Sequence, residues 1–176
     1  SIDSAINKFT PRAVLHLAAA TDVDACETDE TKTFAINSLG TQNVAQACSD
    51  ANIPLIYVSS AQVFDGSKTD PYHEFDIPNP QTIYGLSKFA GETAALTYHR
   101  NTVVVRVGWM IGGGMTGEKK FIGKLLARAA STGKIEAVDD KFGTITYARE
   151  LVDLIPPLLL VVRCRGAKLL RLTQCG

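Results

Sequence analysis

Tyr84 and Lys88 stand four residues apart at the head of a run rich in helix formers, Phe89-Ala90-Gly91-Glu92-Thr93-Ala94-Ala95-Leu96. That spacing places both side chains on one face of a helix. A free phenol, with a pKa of about 10, is a poor acid-base group at neutral pH, but a nearby ammonium favours the phenolate and draws it toward a working range. A Tyr and a Lys in register also occur on ordinary surface helices, so the pair alone decides little. Ser60 adds to it, because it closes the apolar run Pro54-Leu55-Ile56-Tyr57-Val58-Ser59. A hydroxyl leaving the C-terminal edge of a buried strand lies where open α/β sheets place their ligands.

The elements that must position these groups are legible from periodicity. After an amphipathic helical segment, Ser1 to Phe9, a strand is expected over Ala13 to Ala19, ending in a turn of small residues at Ala18-Ala19-Ala20. Small side chains there admit either a ligand against the backbone or tight strand-helix packing. Thr31 to Asp50 reads as a helix with Asp29-Glu30 at its positive end. Asn37 is a mediocre helix former in mid-helix and invites a buried hydrogen-bonding role. Pro54 to Ser59 is the second strand, which makes a parallel βαβ unit. The stretch between Ser60 and Tyr84 is a long loop rich in Asp, Pro, Gly and Asn, and its aromatic residues favour a functional role.

Thr102 to Trp109 reads as a third strand, expected beside the other two in parallel order, so that Ser60, Tyr84 and the Ala18-Ala19 turn converge at the C-terminal ends. Gly112-Gly113-Gly114 lacks the spacing of a phosphate-binding loop and reads as a lid or linker. A helix over Lys119 to Ala130, a strand over Ile135 to Val138, a turn at Asp139-Asp140-Lys141 and a helix from Tyr147 to Leu154 follow. Beyond Pro157 the only charges are Arg163, Arg165, Lys168 and Arg171, so a partly unfolded basic tail is expected.

Composition narrows the function classes. The 176 residues are 45% hydrophobic and 20% charged, enough for one domain with a sizeable core. The 18 basic and 18 acidic residues cancel, so nothing steers the chain to nucleic acid or an anionic membrane. Cys26, Cys48, Cys164 and Cys175 are scattered and do not cluster with His16, His73 or His99, which argues against a metal site or a disulfide framework and suits a reducing cytoplasm. No signal peptide is visible, and the apolar run Leu154 to Val162 is too short to span a bilayer.

Taken together, five strings resemble the extended short-chain dehydrogenases/reductases, and within them the dTDP-4-dehydrorhamnose reductase family: His16-Leu17-Ala18-Ala19, Asn37 to Asn43, Tyr57 to Gly66, Tyr84-Gly85-Leu86-Ser87-Lys88 and Gly143 to Ala148. The resemblance covers residues 13 to about 155. It implies a Rossmann-like doubly wound parallel α/β sheet, with residues 1–155 a partial NAD(P)-binding domain and 156–176 an atypical basic tail. It further implies NADPH- or NADH-dependent reduction of the 4-keto group of a nucleotide-linked 6-deoxy sugar. Tyr84 would give a proton to the carbonyl oxygen, Ser60 would hydrogen-bond that oxygen, and Lys88 would hold the nicotinamide ribose and depress the Tyr84 pKa. Ala18, Ala19, Asn37 and Arg106 would lie along the cofactor. Thr21, Val23, Gln62 and Trp109 would face the sugar nucleotide, Trp109 being open to a reading as core. Ala61-Gln62, where sugar-nucleotide dehydratases carry Asp-Glu, disfavours dehydration, and Phe64-Asp65-Gly66 is unusual for an epimerase. A sugar-nucleotide epimerase and a non-catalytic regulatory subunit like that of methionine adenosyltransferase remain as alternatives, and a homodimer is compatible with the family.

The family opens on a strand and a G-x-x-G-x-x-G loop that binds the cofactor pyrophosphate at a helix N-terminus. No such string occurs here, so the chain is expected to start after the first three strands of the family sheet. As a 176-residue polypeptide alone it is then expected to bind NAD(P)H very weakly and to self-associate through an unprotected strand at Ala13 to Ala19. Calorimetric titration of purified monomer with NADPH and NADH checks this: micromolar binding to a stable monomer would contradict it.

Overall fold

The computed structural model describes residues 1–112, 121–136, 143–165 and 168–171. In chain order these form α1 (Ile2–Phe9), β1 (Val14–His16), α2 (Val23–Thr28), α3 (Glu30–Phe34), a π-helical segment (Ala35–Leu39), α4 (Gly40–Asp50), β2 (Leu55–Ser60), a single 3₁₀ turn (Ala61–Val63), α5 (Ile83–Tyr98), β3 (Thr102–Val107), β4 (Trp109–Ile111), α6 (Phe121–Thr132), β5 (Ile145–Tyr147), α7 (Ala148–Arg165) and β6 (Lys168–Arg171).

Four parallel strands make the main sheet in the order β1-β2-β3-β6. Leu55 pairs with Thr102 and Ser60 with Val107 across β2 and β3, and Val14 pairs with Leu55 across β1 and β2. Every residue of β2 and of β3 is buried. That is the fate of a central parallel strand covered by helices on both faces, and it explains runs that are β-branched and apolar throughout rather than alternating. Ile56, Val58, Val103, Val105 and Val107 meet Leu151, Leu158 and Val162 of α7 on one face. Leu55, Tyr57 and Val104 meet Ala45 and Cys48 of α4 and Ala95 of α5 on the other. The three expected strands therefore lie side by side in the expected order, in a doubly wound arrangement.

Differences concentrate after Val107. β1 covers only Val14–His16 of the expected strand. Ile135 and Glu136 carry no strand; the extended segment is Ile145–Tyr147, parallel to Trp109–Ile111 in a separate two-stranded sheet. Short β-branched triplets are ambiguous by periodicity, and the pairing of β5 is fixed by tertiary contact: Trp109 donates its N–H to the Thr144 carbonyl at 2.8 Å and Gly108 to Thr146 Oγ1 at 3.0 Å. The helix expected to stop near Leu154 continues through Pro156 and Pro157 to Arg165. Each proline removes an N–H donor and costs about 3 kcal/mol in a helix interior. Here Leu151, Leu158 and Val162 place one stripe of α7 against the sheet, and that burial offsets the cost. Part of the tail expected to be partly unfolded pairs as β6 with β3, Val103 with Lys168 through Arg106 with Arg171. Gly113, Gly114, Lys119, Lys120 and the stretch 137–142 of the expected elements lie outside the described residues.

Helix α5 lies unusually close to the elements beneath it. A Cβ at Gly91 would overlap the Tyr57 hydroxyl and stand 2.6 Å from the carbonyl oxygen of Asn37. A backbone carbonyl cannot move aside as a side chain can, so Gly91→Ala is expected to destabilise the fold by about 2 kcal/mol. Thermal unfolding should show this as a Tm lower by roughly 4–8 °C.

Candidate functional site

Ser60 ends β2 and Tyr84 begins the second residue of α5, so both depend on how the N-terminus of α5 is held. Thr82 caps it, its Oγ1 accepting from the Gly85 N–H at 3.0 Å. Glu27 of α2 reaches across and accepts from the Ile83 N–H at 2.7 Å. Together they satisfy two of the unpaired donors of the first turn and place a negative charge at its positive end.

With α5 so placed, the Tyr84 and Ser60 hydroxyls come together on the cleft wall, close enough for Ser60 to act on the phenol. Burial raises the Tyr84 pKa, the Ser60 hydroxyl opposes the rise and neighbouring Cys26 adds to it. This corrects the expectation that Lys88 would depress Tyr84. The Lys88 ammonium is directed elsewhere: it donates to the Val58 carbonyl at 2.9 Å and lies 4.2 Å from the centre of the Tyr57 ring. Burial lowers the Lys88 pKa to about 8, with Glu92 acting in the opposite sense.

Asn37 has the buried role its position suggested. Its Oδ1 accepts from the Ala20 N–H at 2.8 Å, and its Nδ2 donates to the Ala20 carbonyl at 3.0 Å and to Ser87 Oγ at 2.9 Å. It thereby ties the small-residue turn after β1 to the helix that carries Tyr84. The π-helical segment around it is the sort of local widening often found at functional sites. Thr41, one turn on, donates to the Asn37 carbonyl at 2.7 Å and meets His16 Nε2 at 3.1 Å. Burial, and then the field of Lys88, lower the His16 pKa to about 4.

A cleft of about 1090 Å³ opens at the C-terminal ends of β1, β2 and β3. Ala19, Thr21, Val23, Ser60, Gln62, Tyr84, Lys88 and Trp109 all line it. Trp109 is 44% exposed and belongs to the wall, not the core. Ala18, Asn37 and Arg106 are not on the lining. Arg106 lies behind the wall: Nε and Nη2 donate to the two carboxylate oxygens of Glu92 at 2.9 and 2.6 Å, and its guanidinium lies 4.8 Å over the Phe64 ring. Phe64 stacks on Tyr72 at 4.2 Å.

Sequence reasoning pointed to the loop after Ser60 and named Gln62 in it, but gave no role to Phe64, Asp65 or Tyr72, which also line the cleft. Asp65 orders the loop, accepting from the Tyr72 hydroxyl at 2.6 Å, the Ser67 N–H at 2.9 Å and Asn79 Nδ2 at 2.9 Å. These bonds hold its carboxyl well below the usual carboxylate range. An Asp followed two residues later by Ser is a recognised turn signal; the longer reach to Tyr72 and Asn79 has none. Among the described residues no cluster of His, Cys, Asp and Glu could hold a metal ion.

The model of the RmlD substrate binding domain family matches residues 1–168. The chain belongs to that family. It is 40% identical over 144 residues to a dTDP-4-dehydrorhamnose reductase of Mycobacterium tuberculosis, a match covering 80% of this chain and 47% of that protein. The corresponding figures for a Streptomyces griseus relative of the same name are 33% over 159 residues, 90% and 51%. Among solved structures, the reductase from Bacillus anthracis in complex with NADP superposes with a TM-score of 0.91 at 28% identity, covering 99% of this chain and 60% of that one. The Yersinia enterocolitica reductase gives 0.87 at 37% identity, covering 99% and 61%. The chain thus has the Rossmann-like fold of these reductases and spans about half the length of the curated relatives it matches.

Within this RmlD-family site His16 is neutral when folded. Below pH 6.5 the unfolded chain takes up a proton that the folded chain refuses until about pH 4, so stability falls as pH drops through that window. The cost at the acid end is on the order of 3 kcal/mol. Urea denaturation at a series of pH values should show a shallower slope between pH 6.5 and 4 in His16→Gln than in the wild type.

Proposed function

We propose that the cleft is the proton-donating half of an NAD(P)H-dependent reductase site acting on the 4-keto group of a nucleotide-linked 6-deoxy sugar. What carries the reading is the convergence of Ser60, Tyr84 and Lys88 on one cleft wall, in a chain whose relatives are named dTDP-4-dehydrorhamnose reductases. Tyr84, kept protonated by burial, is the proton donor. Ser60, beside Tyr84 on the same wall, offers its one hydroxyl hydrogen to the same carbonyl oxygen. Lys88, with the small-residue turn Ala18-Ala19-Ala20, suits the ribose end of a nicotinamide nucleotide.

The donor set fits such a cofactor at that end, an ammonium and two hydroxyls beside a turn whose side chains are no larger than methyl. When bound, the nicotinamide would supply the hydride. Thr21, Val23, Gln62 and Trp109 form the part of the wall that would face the sugar nucleotide. Thr82 donates to Gln62 Oε1 at 3.2 Å, which leaves the Gln62 amide nitrogen for a ligand. The balance of 18 basic and 18 acidic residues supports a small-molecule substrate and not nucleic acid, and among the described residues no helix is long and apolar enough to cross a membrane. A cytoplasmic location and a homodimer complete the proposal.

In a polypeptide that supplies the remainder of the relatives' length, Tyr84→Phe is expected to lower turnover of a dTDP-4-keto-6-deoxy sugar by roughly two orders of magnitude while leaving NADPH affinity nearly intact. Turnover near wild type in Tyr84→Phe, measured by NADPH oxidation, would sink the assignment.

A further inference from the structure

Lys88 is 2% exposed, yet among the described residues no carboxylate touches its ammonium: the Glu92 carboxylate is taken by the bidentate pair with Arg106. An ammonium desolvated to that degree loses its proton readily unless something in the wall favours the charged form. The two groups that meet it are the Val58 carbonyl at 2.9 Å and the face of the Tyr57 ring at 4.2 Å. Tyr57 is fully buried, and its position is fixed from every side. Its hydroxyl reaches the backbone carbonyl of Lys88 itself at 3.4 Å and hydrogen-bonds Thr41, and Gly91 leaves the room that hydroxyl occupies. The His16 ring stands 5.5 Å from it at a tilt of 31°.

We propose that Tyr57 is a positioning residue for Lys88, its ring face seating the ammonium. The ring's negative face stands where a contacting counter-ion would, so strand β2 adds to the proton affinity of Lys88. Burial keeps the Tyr57 hydroxyl protonated, so the ring adds no charge of its own. The other titratable or charged groups around Lys88 are Tyr84 and Glu92 on its own helix, His16 on β1 and Arg106 on β3; across the cleft stand Asp65, Lys68, Asp70 and His73. Of these, His16 is held neutral by burial, and Glu92, although its carboxylate is paired with Arg106, still favours the charged form of Lys88 from one turn away. The functional importance of the seat rests on the reductase reading; its existence does not.

The test follows the Lys88 side chain directly, in the same polypeptide of the relatives' length labelled with lysine carrying carbon-13 at Cε, its resonance assigned by its loss in Lys88→Met. Tyr57→Phe keeps the ring and should titrate within about 0.3 pH unit of wild type, whereas Tyr57→Leu should lower the Lys88 midpoint by about one pH unit. Should Tyr57→Leu fail to fold, replacing Tyr57 with di- and trifluorophenylalanine, which withdraws ring electron density at nearly constant shape, should lower the midpoint stepwise. An unmoved midpoint in Tyr57→Leu or a flat fluorination series overturns the proposal, as does a fall in Tyr57→Phe as large as that in Tyr57→Leu. Because the titration needs no turnover, an inactive enzyme with the expected midpoints would count against the reductase reading alone.

Discussion

A lysine ammonium held almost out of water is the constraint around which this molecule is arranged. Isolated burial of such a charge is prohibitive, so the surroundings must either supply partners or let the proton go. Here they do some of each. The Val58 carbonyl, the Tyr57 ring and the distant field of Glu92 favour the charge; desolvation works against it, leaving a pKa of about 8. Near neutral pH the group is then mostly charged, but not by a wide margin. The close seating of α5 on β2 follows from the same need, because the ammonium reaches the Val58 carbonyl only if the helix axis lies near the sheet, and Gly91 makes that approach sterically possible.

The Glu92–Arg106 pair is the second buried charge arrangement, and it sits one turn along the same helix. With both side chains 3% exposed and two short hydrogen bonds, each partner depends on the other, and removing either would leave an uncompensated charge in the core. Arg106 also carries the cleft wall. Its guanidinium faces Phe64, Phe64 stacks on Tyr72, and Tyr72 donates to Asp65, so the loop that follows β2 is tied to the helix bearing Tyr84 through an unbroken series of contacts. An arginine placed by resemblance beside the cofactor is in this structure a support behind the wall. Its Nη1 and the Ser59 hydroxyl, on paired positions of β3 and β2, are buried without a hydrogen-bond partner among the described residues. Such atoms cost free energy unless water reaches them.

Much of the architecture could be read from residue patterns because central parallel strands announce themselves. Leu55 to Ser59 and Thr102 to Val107 are continuous buried runs, and the helix between Thr31 and Asp50 has one apolar face. Ser60, Tyr84 and Lys88 were legible for a related reason, as polar groups at fixed offsets from such runs. What was not legible depends on contacts distant in sequence. β5 exists through its pairing with β4, α7 crosses two prolines because its stripe of leucines and valines has a sheet to cover, and β6 has no local pattern beyond Leu169-Leu170. Gly and Pro rules report the cost of a conformation but not what offsets it.

The protonation state of Tyr84 shows how the same limit bears on chemistry. Tyr-x-x-x-Lys spacing suggests an ammonium acting on a phenol, and the expected result is a depressed pKa. That inference assumes the ammonium points at the phenol, which spacing on a helix cannot establish. In the folded chain the Lys88 charge faces strand β2, and burial dominates at Tyr84, so its pKa rises and the Ser60 hydroxyl only moderates the rise. A tyrosine held in its neutral form is suited to donating a proton to an oxygen that gains negative charge, the direction a reductase requires. For the reverse reaction the phenolate would be needed, and burial disfavours it. The asymmetry arises because Lys88 is seated below the phenol on Tyr57 and is not paired with it.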